Sequence, residues 1–192
     1  MNIGIFSGTF DPIHIGHIIL ASYIIEYTDM DEVWFLVSPQ NPFKIDIEML
    51  DKQERLEMVK LALSAYPQLK ASSFEFDLPQ PSFTVNTLDA LQKKYPEHHF
   101  TLVIGADNWN SFEDWKNPEE ILNKYSLMVY PRLGSRITIP SKVRNKVEAL
   151  ESPIIEISST FIREGIQEGH NMRAFLPVEV YNYITEKGLY KQ

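Results

Sequence analysis

The chain is predicted to be an α/β protein, a doubly wound parallel sheet of about five to six strands flanked by helices, with a small C-terminal helical part. Three observations predict it. Short apolar runs alternate with segments of helical periodicity along the 192 residues, the pattern of successive βαβ units. The runs are apolar continuously rather than alternately, as expected of strands covered on both faces. The polar clusters fall just after those runs, at strand carboxyl ends, where open α/β sheets bind ligands.

Residues 3–6 form an apolar run closed by Ser7-Gly8-Thr9, a buried first strand. From 15 to about 27, Ile18, Ile19, Ala21, Ser22 and Ile25 recur at helical spacing until Asp29, Met30 and Asp31 break the pattern. Residues 32–37, Glu-Val-Trp-Phe-Leu-Val, read as a second strand, and 38–49, with two prolines and little periodicity, as a loop. Asp51 caps a helix, with Glu54 three residues on and Leu56, Val59, Leu61, Ala62 and Leu63 along it, ending at Tyr66-Pro67. Residues 69–76 are predicted as a third strand, 78–81 as a rigid proline connector, and 82–95 as loop then helix, stopped before Pro96.

A fourth strand, 99–104, leads into a Gly105-Ala106-Asp107 turn and a polar-aromatic stretch with Trp109, Phe112 and Trp115. Then come a helix over 118–124 with Pro118 in its first turn, a fifth strand at 127–130 and a loop over 131–140. A short helix at 142–150 and a sixth strand at 154–157 are expected next. Ser158-Ser159-Thr160 cap a helix reaching about 168, and a last helix over 177–186 closes at Gly188. No repeat, low-complexity tract or linker interrupts the series, so residues 1–192 are expected to form one Rossmann-like domain.

Composition narrows the function. An apolar fraction of 44% and a charged fraction of 23% are those of a globular protein. The formal charge of -8 disfavours nucleic acid and anionic membrane as partners, since both need a basic footprint. The chain has no cysteine, which removes disulfides, thiolate metal sites and cysteine nucleophiles together. No run approaches the ~18 apolar residues of a membrane span, and no signal-like segment opens the chain, so a cytoplasmic location is expected.

Two clusters can carry chemistry. In the first, Ser7, Gly8, Thr9 and Phe10 precede a helix whose start holds His14 and His17. Free amides in a small-residue turn and at a helix N-terminus attract an anion. Histidines three apart share a helix face and can reach one phosphate. Taken alone, the same residues also describe an ordinary strand-to-helix turn with two partly buried histidines. In the second, Ser159 and Thr160 offer hydroxyls at a helix start, and Arg163, one turn in, adds a planar cationic fork. On its own that is a cap plus a solvated arginine; two helix N-termini at one sheet edge could instead clamp a polyphosphate. Asp107, at the end of a strand, can accept from ribose hydroxyls or cap the turn. Trp115 can stack on a flat heteroaromatic ring or simply pack.

Ser7-Gly8-Thr9-Phe10-Asp11-Pro12-Ile13-His14-Ile15-Gly16-His17 resembles the N-terminal signature of the nucleotidylyltransferase superfamily. Ile157-Ser158-Ser159-Thr160-Phe161-Ile162-Arg163 is similar to its second signature. Between them, Pro81-Ser82-Phe83-Thr84 with Thr87-Leu88, and Gly105-Ala106-Asp107 with Phe112 and Trp115, resemble segments of the bacterial nicotinate-nucleotide adenylyltransferases. The likeness runs through Leu176-Pro177 to Gly188-Leu189-Tyr190, in order. Two departures stand out: Ser7 replaces the first of two usual glycines, and Asn41-Pro42-Phe43-Lys44 keeps the family's loop lysine but not its histidine.

The resemblance implies adenylyl transfer from ATP to nicotinate mononucleotide, giving nicotinate adenine dinucleotide and pyrophosphate, with Mg2+ entering on ATP and no protein metal ligand. It implies His14, His17, Lys44 and Arg163 as catalytic. ATP would meet Ser7, Gly8, Thr9, Phe10, His14, His17, Gly105, Asp107, Ser159, Thr160 and Arg163. The mononucleotide would meet Thr9, Lys44, Phe83, Thr84, Trp115 and Arg132. Nicotinamide mononucleotide or phosphopantetheine as acceptor, and an inactive nucleotide sensor, remain open, as does a homo-oligomer. An NAD-dependent oxidoreductase would need a Gly-x-Gly-x-x-Gly turn, missing after the first strand.

Overall fold

The computed structural model describes residues 1–39 and 49–191. Six strands form one all-parallel sheet: β1 (Asn2–Gly8), β2 (Glu32–Val37), β3 (Leu69–Ser72), β4 (His99–Gly105), β5 (Ser126–Tyr130) and β6 (Val147–Ala149). Their order is β3-β2-β1-β4-β5-β6. The chain therefore builds outward from β1 in one direction, returns, and builds outward in the other. Between β1 and β4 the connections diverge, and a crevice opens above the carboxyl ends there.

Seven α-helices lie among the described residues: α1 (Ile15–Tyr27), α2 (Lys52–Leu63), α3 (Thr84–Lys94), α4 (Ala106–Asn110), α5 (Pro118–Lys124), α6 (Ser159–Gln167) and α7 (Val178–Lys187). Alternation along the strands splits the sheet's side chains between two cores. Phe6, Val33 and Phe35 join Ile24, Met58 and Ile184 on the face covered by α1, α2 and α7. Ile5, Leu36 and Leu102 join Leu88 and Ile121 on the face covered by α3 and α5. Both faces being buried accounts for the continuous apolar runs.

Three predicted elements differ. The third strand stops at Ser72, and a 3-10 turn, Phe74–Asp77, replaces its second half, burying Glu75. Residues 142–150 are not a helix: a 3-10 turn at Ser141–Val143 precedes β6, which pairs Val147 with Leu127 along the open edge of β5. The sixth strand thus lies at 147–149, while 154–157 is irregular and leaves Ile154 about half exposed. A strand of three residues carries too little pattern to outweigh a neighbouring helical period; the free edge of β5 decides it. The expected turn at 105–107 is the start of α4, with Gly105 as its N-cap. No helix among the described residues is long and apolar enough to cross a membrane.

Candidate active site

Two cavities open side by side over the crevice between β1 and β4, of about 340 and 640 Å³. Ser7, Gly8, Thr9, Asn108 and Tyr130 line both, so the turn after β1 is the ridge between them.

That turn is tightly specified. Phe10 has φ 48, a conformation bulky residues rarely adopt, and its ring packs edge-on to Phe6 at 5.7 Å. A Cβ on Gly8 would lie 3.1 Å from the Phe10 ring, so Gly8 must stay small for Phe10 to tuck beneath the turn. Phe10 is 3% exposed, which makes it a support of the turn. Asp11, also buried, accepts a 2.7 Å hydrogen bond from the Tyr190 hydroxyl, tying the C-terminal end of the chain to the same turn.

The smaller cavity gathers the residues of both signatures. His14 is the N-cap of α1, and His17 sits one turn in, the rings stacked 3.7 Å apart. The His14 amide donates to His17 Nδ1 at 3.2 Å, so a neutral His17 carries its proton on Nε2. Burial, then the Arg132 cation, pushes the His14 imidazole down to about 4. Burial, then His14 and Arg132, holds His17 well below its ordinary value. Both rings are therefore neutral at neutral pH. His14 Nδ1 and Arg132 Nε are buried and have no hydrogen-bond partner. Both residues line the smaller cavity, together with His17, Thr160 and Arg163.

Across the cavity, Ser158 is the N-cap of α6, its hydroxyl accepting from the Phe161 amide at 3.1 Å. Ser159 Oγ donates to the Pro12 carbonyl at 2.9 Å, and Arg163 Nη1 donates to the Asp11 carbonyl at 2.7 Å. α6 is thus bonded to the turn that leads into α1, with Thr160 and Arg163 lining the cavity between the two helix N-termini. Asp107 lines it too, 3.9 Å from Arg132 Nε.

The larger cavity holds Phe83, Thr84 and Trp115, brought together from the start of α3 and the aromatic segment after α4. Gly105, expected with ATP, lines this cavity, and Arg132, expected with the mononucleotide, lines the other. Tyr130 separates the two ideas: its hydroxyl accepts from Arg132 Nη2 at 3.1 Å, which turns the guanidinium toward the histidines. Lys44 lies outside the described residues.

Sequence reading passed over two buried charges. Arg55, 1% exposed, donates to the carbonyls of Leu50, Thr9, Ser38 and Pro39 at 2.7–3.0 Å, gathering the turns after β1 and β2 under one guanidinium. Its spacing was a usable signal, because 55, 58, 59 and 62 share the buried face of α2. Glu75, 4% exposed, accepts from Ser7 Oγ at 3.1 Å and Ser82 Oγ at 3.2 Å, and burial pushes its carboxyl up. Ser7, a departure from the family's usual glycine, thereby uses its hydroxyl.

Comparison with known proteins adds the following. A family model described as cytidylyltransferase-like matches residues 5–165. A Flavobacterium psychrophilum chain named "probable nicotinate-nucleotide adenylyltransferase" is 48% identical over 194 residues, covering 100% of both chains. A Bacteroides fragilis chain of the same name is 47% identical over 184 residues, covering 96% of this chain and 91% of that one. The solved structure of Plasmodium falciparum nicotinic acid mononucleotide adenylyltransferase complexed with NaAD superposes with a TM-score of 0.79 at 17% identity, covering 98% of this chain and 97% of that one, a likeness of fold.

Proposed function

The chain belongs to the nicotinate-nucleotide adenylyltransferase family of cytidylyltransferase-like proteins, and on that premise we propose that the smaller cavity takes the ATP phosphates and the larger one nicotinate mononucleotide. The observation that carries this is a cavity lined by His14, His17, Arg132, Thr160 and Arg163 and flanked by two helix N-termini.

The acceptor's 5'-phosphate oxygen attacks the α-phosphorus of ATP; a new P–O bond forms, the α–β bridging P–O bond breaks, and pyrophosphate leaves with that electron pair. The attacking phosphate has a second pKa of about 6 and is largely dianionic near neutrality, so no general base is needed. The protein supplies alignment of two anions and donors for the charge that gathers on the departing phosphates. Neutral His17 offers Nε2–H, and His14 and Arg132 stand beside it. Thr160 and Arg163 serve the β- and γ-phosphates from α6, Ser159 bracing them through its bond to Pro12. Ser7, Gly8 and Thr9 hold the α-phosphate between the two substrates, and Asp107 accepts from the adenosine ribose. Arg132 serves ATP in this arrangement, while Gly105 borders the acceptor. Phe83, Thr84 and Trp115 receive the pyridine ring, and Lys44 serves the incoming phosphate.

Among the described residues no three His, Asp or Glu side chains converge as a metal cage. Mg2+ would arrive on ATP, where it would neutralise phosphate charge. We read residues 1–192 as one catalytic unit working in the cytoplasm.

The test is incubation with ATP and, separately, nicotinate mononucleotide, nicotinamide mononucleotide or phosphopantetheine, with product mass and pyrophosphate release as readouts. Nicotinate adenine dinucleotide as the main product is expected. Binding of ATP without pyrophosphate from any acceptor would make the chain a sensor.

A further inference from the structure

The buried carboxylate of Glu75 has no part in the chemistry above, yet it lines the acceptor-side cavity. It arrives there on the 3-10 turn that ends the third strand segment early, and its partners are hydroxyls: Ser7, Ser82, Thr87 and, just after β2, Ser38. Burying a carboxylate without a cation is costly unless donors surround it. These hydroxyls meet that need, and they come from separate segments of the chain. Ser7 is on the ridge between the cavities. Ser82 immediately precedes Phe83 and Thr84, which face the proposed pyridine position. Hydrogen bonds to an ionised acceptor are roughly twice as strong as neutral ones, so both hydroxyls are firmly oriented. Gln80 adds a second hold, its Nε2 donating to the Glu75 carbonyl at 3.2 Å, so the loop is fastened to the same turn by backbone and side chain.

We propose that Glu75 is a positioning residue for the acceptor: by gripping Ser7 and Ser82 together it fixes the Phe83–Thr84 wall against the phosphate turn and sets the shape of the acceptor-side cavity. This rests on the adenylyl-transfer reading. Glu75 touches no reacting atom in it. ATP is held mainly through α1 and α6 and meets the ridge only at its α-phosphate, whereas the mononucleotide also meets the Phe83–Thr84 wall, so loosening the grip affects the two substrates unequally.

The experiment measures dissociation constants of nicotinate mononucleotide and of an α,β-methylene ATP analogue, each by calorimetry, for wild type, Glu75→Gln and Ser82→Ala. Glu75→Gln keeps the shape but loses the charge that orients both hydroxyls. It is expected to weaken the mononucleotide about tenfold, the worth of one charge-assisted hydrogen bond, and the ATP analogue by less than about twofold. Ser82→Ala removes one bond with little risk to folding, and a loss of about threefold for the mononucleotide alone is expected. Equal weakening of both ligands, or no change in either variant, overturns the proposal. A wild type that binds the ATP analogue but not the mononucleotide overturns the acceptor reading and the proposal with it; a wild type that binds both, with unchanged variants, overturns the proposal only.

Discussion

Replacing His14 with asparagine should remove a specific part of the protein's sensitivity to acid. In the folded chain His14 is 5% exposed and its pKa is lowered from 6.5 to about 4, chiefly by burial and then by Arg132. A group whose folded pKa is depressed is more protonated in the unfolded chain, so stability falls as pH drops from near 6.5 through about 4. At about pH 5 the unfolded imidazole is almost fully charged while the folded one is mostly neutral, a loss of about 2 kcal/mol relative to pH 7.5. Asparagine suits the N-cap position that His14 occupies and does not titrate. Urea unfolding at both pH values measures the difference. Wild type should lose about 2 kcal/mol more than His14→Asn on acidification. His14 and His17 stack and titrate as a coupled pair, so the difference reports the pair's first proton. Equal losses in the two proteins would refute the depressed pKa and the neutral-ring picture of the phosphate site.

His17→Ala should cut turnover by about 10²- to 10³-fold, the usual cost of a lost transition-state donor, with little change in unfolding midpoint; near-normal turnover in purified protein would remove His17 from the mechanism. Arg55→Met should lower stability by about 3 kcal/mol or more, because the carbonyls of Thr9, Ser38 and Pro39 lose a buried charged donor. Thermal unfolding of the variant within a degree or two of wild type would show those carbonyls are satisfied otherwise.

Much of this was legible before any coordinates. Continuous apolar runs separated by helical periods determine a sheet covered on both faces, because a strand buried on one side only would alternate. Small residues at 7–9 followed by histidines at 14 and 17 determine an anion-seeking turn, because free amides and shared helix faces are local properties. Local chemistry could not decide what depends on distant partners. Residues 147–149 became a strand because β5 had an open edge, and 69–76 broke at Ser72 so that Glu75 could turn inward. Arg132 went to the histidine side because Tyr130 and Asp107 draw it there. The chain's own order says that Ser7 and Ser82 are far apart, and that Asp11 and Tyr190 are farther. Only the fold sets Glu75 between the first pair and a hydrogen bond between the second. Buried polar groups must find partners wherever the packing places them, and that is settled in three dimensions.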